Sequence, residues 1–162
     1  MSIILARIDN RLIHGQVLEA WVPYVHADCI AVANDRVAEI ALQRVLMEAA
    51  VPRGIRVVIG TVEEVSTVLG SGALASHRVL LLFATAKDAL KAHRYGVDFA
   101  ELNLGNMHGG EERRRLSCTI SLDPEDVRDL VALEREGVRI VAQCVPSDRE
   151  QSWRKLIANP GD

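Results

Sequence analysis

The sequence predicts an α/β fold of three layers, with helices on both faces of a mostly parallel central sheet of about six to seven strands. Three observations carry this expectation. Short apolar runs alternate with longer stretches of helical periodicity along the whole chain. Helix-starting residues follow several of those runs: Asn34 and Asp35, Thr61, Thr85 and Asp123. Finally, 49% of the residues are apolar but only 4% are aromatic, as in a domain built on Val, Ile, Leu and Ala. At 162 residues the chain is expected to form one domain, spanning 1–162, large enough to bury a substantial core.

In order, Ser2 to Ile8 reads as the first strand and Gly15 to Val25 as the first helix, with Pro23 near its end. Asp28 to Ala33 is the second strand. Asn34 or Asp35 then caps a helix running to about Ala50, with Val37, Ile40, Ala41, Val45 and Leu46 along one apolar face. Pro52 and Gly54 break the chain before a third strand, Arg56 to Ile59. Thr61 caps the next helix, whose first turn carries Glu63 and Glu64 where negative charge suits the helix dipole. Gly70 and Gly72 end it.

Arg78 to Phe83 is continuously apolar and therefore predicted to be a central strand. Thr85 opens a helix to about Tyr95 and Gly96 stops it. Phe99 to Leu104 is the fifth strand, followed by a glycine-rich loop from Gly105 to Gly110, and Cys118 to Leu122 is a short sixth. Asp123-Pro124-Glu125-Asp126 is a helix start with a capping acceptor, proline in the first turn and acids behind it. That helix ends near Gly137. Val138 to Val145 is the last strand, and an amphipathic tail carrying Trp153, Leu156 and Ile157 is expected to cover the sheet.

Several function classes are excluded at this level. A net charge of -3 and few aromatics supply neither a basic footprint nor a stacking platform, so no nucleic acid is expected as a partner. No run approaches bilayer-spanning length and no signal core opens the chain, which points to a cytoplasmic protein. Cys29, Cys118 and Cys144 are odd in number and widely spaced, each in a predicted strand, and read as small buried hydrophobes. No metal and no cofactor are expected.

The chemistry is predicted in the stretch Arg7-Ile8-Asp9-Asn10-Arg11-Leu12-Ile13-His14-Gly15-Gln16-Val17. A histidine between a parallel strand's carboxyl end and a helix N-terminus faces backbone N–H groups that have no intrahelical partner, a place suited to an anion. Imidazole is a nucleophile near neutral pH, Arg11 adds a permanent forked cation, and Asp9 is an acceptor able to orient either of them. The N–H groups of Gly15, Gln16 and Val17 are the expected phosphate cradle, with Gly15 allowing close backbone approach. In a parallel sheet the end of the fifth strand lies on the same edge, so Asn103, Gly105 and Asn106 are candidates to reach the phosphate or a partner. The plainer reading makes His14 a capping residue, Arg11 a solvated loop residue and Asp9 a turn former. Composition and spacing leave both open.

The string Ala6 to Val17 resembles the N-terminal signature of the mannose/fructose/sorbose family IIB component of the bacterial phosphoenolpyruvate-dependent sugar phosphotransferase system. The likeness continues through Val32-Ala33-Asn34-Asp35, Val79 to Phe83, Leu102-Asn103-Leu104-Gly105-Asn106-Met107-His108 and Val145-Pro146-Ser147-Asp148, in the family's order.

The resemblance implies that His14 is transiently phosphorylated on Nδ1 by a phosphorylated IIA protein. It further implies that the group passes to a sugar substrate carried by membrane IIC and IID components, with Arg11 neutralising phosphoryl charge. It also implies an interior first strand, with His14 at a crevice. After Met107 the family commonly continues with an aromatic and a Gly-Lys pair. Here His108-Gly109-Gly110-Glu111-Glu112 stands instead, a solvated loop by composition, followed by Arg113, Arg114 and Arg115, whose charge the two glutamates largely offset. His108 is expected to face His14, and His26, His77 and His93 to be solvated.

Two other readings stand beside this one. One is a regulatory module that is phosphorylated at His14 and signals through partner binding without transport, which the altered loop keeps open. The other is a hydrolase or mutase with a phosphohistidine intermediate, disfavoured because Ile13 rather than arginine precedes His14. Direct nucleotide binding lacks a glycine-rich fingerprint after the first strand.

Overall fold

The computed structural model describes residues 2–107, 114–115 and 119–158. Its central sheet contains β1 (Ile3–Asp9), β2 (Cys29–Ala33), β3 (Arg56–Gly60), β4 (Val79–Phe83) and β5 (Glu101–Asn106). A second, separate sheet pairs β6 (Arg114–Arg115) antiparallel to β7 (Ser121–Leu122). The central sheet is completed by β8 (Arg139–Ala142) and β9 (Gln151–Ser152), in the spatial order β3-β2-β4-β1-β5-β8-β9. All its ladders are parallel except β8 with β9. β1 is therefore the fourth of seven strands, paired on both sides.

Helices cover the two faces as the alternation predicts. On one face lies a helix whose π-helical turn, Val17–Trp21, runs into α1 (Val22–Val25), together with α2 (Asp35–Glu39) and α3 (Ala41–Ala50). Leu12, Ile13, Val17, Trp21 and Val22 pack there on Ile30, Val32, Leu80 and Leu82. On the other face lie α4 (Val62–Gly70), α5 (Ala86–Arg94), α6 (Pro124–Arg135) and α7 (Trp153–Ala158). Val65, Ala89, Leu133 and Trp153 pack there around Ala31, Leu81, Ile8 and Ile140. Every residue of β4 is buried because it has strands on both sides and a layer on both faces.

The chain steps from β1 to β2 to β3 in one direction along the sheet, then from β3 to β4 to β5 to β8 in the other. Right-handed crossovers then put the two sets of helices on opposite faces. At the carboxyl end of β1 the chain leaves toward one face, while β4 and β5 beside it leave toward the other. The turn that leads to His14 starts from this point of divergence.

The local signals account for most boundaries. Asn34 Oδ1 accepts from Val37 N–H at 2.9 Å, and Thr85 Oγ1 accepts from Asp88 N–H at 3.1 Å. Thr61 with Glu64, and Asp123 with Asp126, form reciprocal capping boxes. Gly72, Gly96 and Gly137 take positive φ just beyond helix ends, where a side chain is strained.

Five expectations need correction. The helix predicted from Asn34 to Ala50 is two helices, because Ile40 is extended (φ -100°, ψ 91°). Asn34 and Asp35 bind α5 and α4, through Asp88 and the Val62 N–H, so α2 is anchored apart from α3. The apolar stripe splits: Val37 packs on the sheet layer, but on α3 Val45 and Leu46, with Leu42 beside them, are 59–69% exposed, and Met47 packs on the sheet layer instead. β5 extends to Asn106, so Gly105 and Asn106 are strand rather than loop residues. The predicted sixth strand contributes only Ser121 and Leu122, and these pair outside the central sheet. β8 stops at Ala142, so Cys144 lies beyond it and is partly exposed, while Cys29 is buried in β2 as expected.

The tail covers the sheet with buried Trp153 and Leu156, after an antiparallel edge strand that sequence did not suggest. His26 is exposed, whereas His77 and His93 are half-buried beside Asp28 and Glu136. The readings placed on His108, on the loop to Arg113 and on Cys118 lie outside the described residues. Among the described residues no helix is long and apolar enough to cross a membrane.

Candidate functional site

Alternation along β1 sends Ala6 and Ile8 into one core and puts Arg7 and Asp9 on the opposite face, side by side. Both charged residues are fully buried, each at 0% exposure. After Asp9 the chain turns tightly: Leu12 N–H donates to Asp9 O at 2.9 Å, and Asn10 N–H to Asn106 O at 2.8 Å. Leu12 adopts φ 58°, unusual for a branched residue, and is held there by burial of Leu12 and Ile13 in the helix-side core. The turn delivers His14 to the start of the helix.

Asp9 is the hub of the site. Its Oδ2 lies 2.9 Å from His14 Nε2 and accepts from Asn106 Nδ2 at 2.9 Å, while its Oδ1 accepts from Arg11 N–H at 3.1 Å. Burial alone would push this carboxyl's pKa up. The hydrogen bonds from His14 and Asn106, with the charges of His14 and Arg7, outweigh burial and hold it below the usual carboxylate range. Asp9 is thus an ionised acceptor inside the protein.

Arg7, which the sequence reading quoted in the stretch but assigned no role, lies beneath Asp9. Its Nη1 donates to Asn103 Oδ1 and, at 2.7 Å, to Gln143 O; its Nη2 donates to Cys144 O at 2.9 Å. Nε is 3.6 Å from Asp9 Oδ2. The Trp21 ring covers the guanidinium, with 4.6 Å between Cζ and the ring centroid, and Trp21 Nε1 donates to the same Cys144 carbonyl at 3.2 Å. Burial lowers the Arg7 pKa to about 10, against the raising effect of Asp9, so the group stays cationic at neutral pH.

The predicted site residues separate into three groups. Asp9 and His14 meet directly. Arg11 is exposed at the mouth and joins Asp9 through its backbone; its guanidinium forms no hydrogen bond or ion pair with Asp9 or His14. The His14 side chain keeps 9% exposure, and its neighbours Arg11 and Gly15 are exposed. Leu18 N–H donates to His14 O at 3.0 Å, so the N–H groups of Gly15, Gln16 and Val17 precede that first helical bond. A Cβ on Gly15 would meet nothing within 4 Å, which leaves the surface above it open. Gln16 turns its amide toward Cys144 Sγ, 3.8 Å away.

Asn103 and Gly105 form the third group, around Arg7. Asn103 is 2% exposed and bonds Arg7 and Gln143 Oε1. Gly105 is the extra residue where the β1–β5 register shifts, between the pairs Ile8–Leu104 and Asp9–Asn106. A Cβ there would overlap Nη2 and Cζ of Arg7. The one sequence signal for this buried pair was a charged residue inside an otherwise apolar strand, opposite a strand with Asn and Gly at its end.

Known proteins resemble this chain along nearly its whole length. The family model described as PTS system sorbose subfamily IIB component matches residues 3–161. N-acetylgalactosamine-specific phosphotransferase enzyme IIB component 2 of Escherichia coli K12 is 36% identical over 156 residues, covering 96% of this chain and 99% of that protein. The crystal structure of the IIBSor domain of the sorbose permease from Klebsiella pneumoniae is 34% identical over 99% of both chains, with a TM-score of 0.93. The mannose-specific EIIAB component of E. coli K12 is 29% identical over 158 residues, 98% of this chain but 49% of that protein.

Proposed function

Because the chain belongs to the sorbose subfamily of IIB components of the sugar phosphotransferase system, we propose that His14 is the residue that carries the phosphoryl group. The observation that carries this reading is the 2.9 Å contact between His14 Nε2 and Asp9 Oδ2. With Asp9 ionised, Nε2 holds the proton and donates it in the hydrogen bond. Nδ1 is left with the free lone pair.

In the first step Nδ1 attacks the phosphorus of a phosphohistidine on a IIA protein. The new N–P bond forms on His14 as the donor's N–P bond breaks, and the donor imidazole leaves. In the second step a sugar hydroxyl attacks the same phosphorus and gives its proton to water, and the His14 N–P bond breaks with its electron pair returning to Nδ1. Asp9 favours the first step by stabilising the positive charge the ring gains, and by keeping the proton on Nε2 it lets a neutral imidazole leave in the second. Arg11 and the N–H groups of Gly15, Gln16 and Val17 face the transferring oxygens and spread their charge. The donor is a phosphorylated IIA protein, a reading supported by the mannose relative, whose name joins A and B in one component about twice this chain's matched length. The acceptor sugar is carried by membrane IIC and IID components. The protein works in the cytoplasm as a single domain, 1–162.

The test is the relay itself: phosphoenolpyruvate, the general phosphocarrier proteins and a matching IIA should give an acid-labile, base-stable phosphoprotein with the phosphate located on His14 by mass spectrometry. His14→Ala should abolish labelling. Full labelling of that variant would refute the assignment.

A further inference from the structure

Arg7 cannot serve the phosphate directly. It has no exposed surface, the Trp21 ring closes it off, and its Nη atoms are committed to Asn103 Oδ1 and the carbonyls of Gln143 and Cys144. As filling for a core, a guanidinium is a poor choice, because an apolar side chain would occupy the same space without the cost of desolvating a charge. Yet the surroundings are shaped to this group. The strand opposite has a bulge at Gly105, where any side chain would collide with the guanidinium, and Asn103 from that strand accepts from it. Gln143 in turn ties the next loop by donating to Pro146 O at 3.2 Å and Asp148 O at 3.0 Å.

What the guanidinium supplies is a fixed charge 3.6 Å from the oxygen that accepts from His14. We infer that Arg7 is a positioning residue for phosphoryl transfer: its fixed charge, added to the bonds from His14 and Asn106, keeps Asp9 an acceptor and so favours the His14 tautomer with Nε2–H and a free Nδ1 lone pair. The inference rests on His14 being the phosphoryl carrier.

The physical argument concerns what Asp9 would become without its neighbour. Around Asp9 the other charged or titratable group in contact is His14 itself; Asn106 and the Arg11 N–H are neutral donors. With Arg7 removed, Asp9 would keep the bonds from His14 and Asn106 but lose the one fixed charge beside it, and would take up a proton at higher pH than in the wild type. A protonated Asp9 can donate to the ring instead of accepting from it. Nε2 would then be the acceptor and Nδ1 would hold the proton, in the place where the phosphorus must bond. The same orienting role of a carboxylate toward a catalytic imidazole is known from serine hydrolases, where the wrong tautomer is the defect.

The experiment records 15N–1H correlations of the His14 ring in the full chain, alongside transfer kinetics from a phosphorylated IIA protein. Wild type should show Nε2–H at neutral pH; Nδ1–H in wild type would overturn the inference whatever the variants do. Arg7→Met and Gly105→Ala, which respectively remove and displace the guanidinium, should lose the Nε2–H preference. They should lower kcat about 10- to 100-fold, the range typical when an outer partner of a reactive histidine is lost. KM for the IIA protein should stay unchanged, and the acid limb of the rate profile should move to higher pH. Arg7→Lys should recover most of the tautomer preference. A folded Arg7→Met or Gly105→Ala protein with wild-type tautomer and rate would sink the proposal, as would Arg7→Lys losing both as completely as Arg7→Met. Should the His14 assignment itself be wrong, phosphate would be found on another residue of the wild-type chain, an outcome these ring spectra do not affect.

Discussion

Asp9, fully buried at the end of β1, and Asp88, partly buried in the first turn of α5, both lie near the carboxyl edge of the sheet, and burial pushes both toward the protonated form. Asp9 nevertheless ends below the usual range, because His14 and Asn106 bond it and Arg7 lies beside it. Asp88 ends above it. The Asn34 amide (2.8 Å to its Oδ2) and the Thr85 cap do not offset burial, and the nearby charge of Asp35 adds to it. Lys91, three residues further along α5, is bonded to Asp35 instead, at 2.8 Å. Burial alone therefore does not decide the chemistry, since the more deeply buried of the two carboxyls is the one held below the usual range. A buried carboxylate stays ionised, and useful as an acceptor, where a cation and several donors converge on it.

The sharpest way to break this comparison is to remove each charge in turn. Asp9→Asn strands the Arg7 guanidinium in the core and should cost about 3–5 kcal/mol of stability by urea unfolding. Asp88→Asn keeps an acceptor for Asn34 and should change stability by no more than about 1 kcal/mol. Similar losses in the two variants would mean that the Arg7 pairing is not what separates the sites.

A smaller effect should appear in acid. The folded Asp9 pKa lies below its ordinary 3.8. Its stabilising contribution is present above about pH 4 and is lost as pH falls through the depressed value. Asp88 has the opposite sign: its folded pKa is above 3.8, so its ionised form costs stability at neutral pH and the cost fades as pH falls through the raised value. Unfolding free energies from pH 7 to 3 should show the gap between wild type and Asp9→Asn closing toward acid. Asp88→Asn should lose any advantage over wild type in the same direction. Parallel curves for all three proteins would contradict both signs.

The smallest structural effect is expected at the exposed mouth. Arg11→Lys should leave stability within about 0.5 kcal/mol, because the Arg11 bond to Asp9 is made by the backbone. Transfer should still slow several-fold, since a point charge replaces a forked donor. A native transfer rate in this variant would remove Arg11 from the charge-neutralising role.

Much of this was readable from the chain. Local hydrogen-bond chemistry fixed the helix starts at Asn34, Thr61, Thr85 and Asp123, and the unbroken apolar run Val79 to Phe83 marked an interior strand. The pairing of Asp9 with His14 was legible because both lie on one short strand-to-helix connection. Arg7 was not, since its partners Asn103, Gln143 and Cys144 lie 96 to 137 residues away and no local rule distinguishes a charged residue that is caged from one at a sheet edge. The π-helical turn that brings Trp21 over Arg7 likewise has no periodicity signal. The α3 stripe misled for a related reason: periodicity reports that Ala41, Val45 and Leu46 share a face, not which way that face points.

The sequence by itself determined the alternation of strand and helix, the family signature and the closeness of Asp9 to His14, because strand pattern, capping and a six-residue turn are all set within a few residues of one another. Only the tertiary structure decided that a cation would be buried under the carboxylate, that Gly105 would make room for it, and that Asn103 would face it rather than the exposed mouth. Those outcomes depend on register between β1 and β5 and on a loop after β8. They come from parts of the chain that meet only when the sheet is assembled.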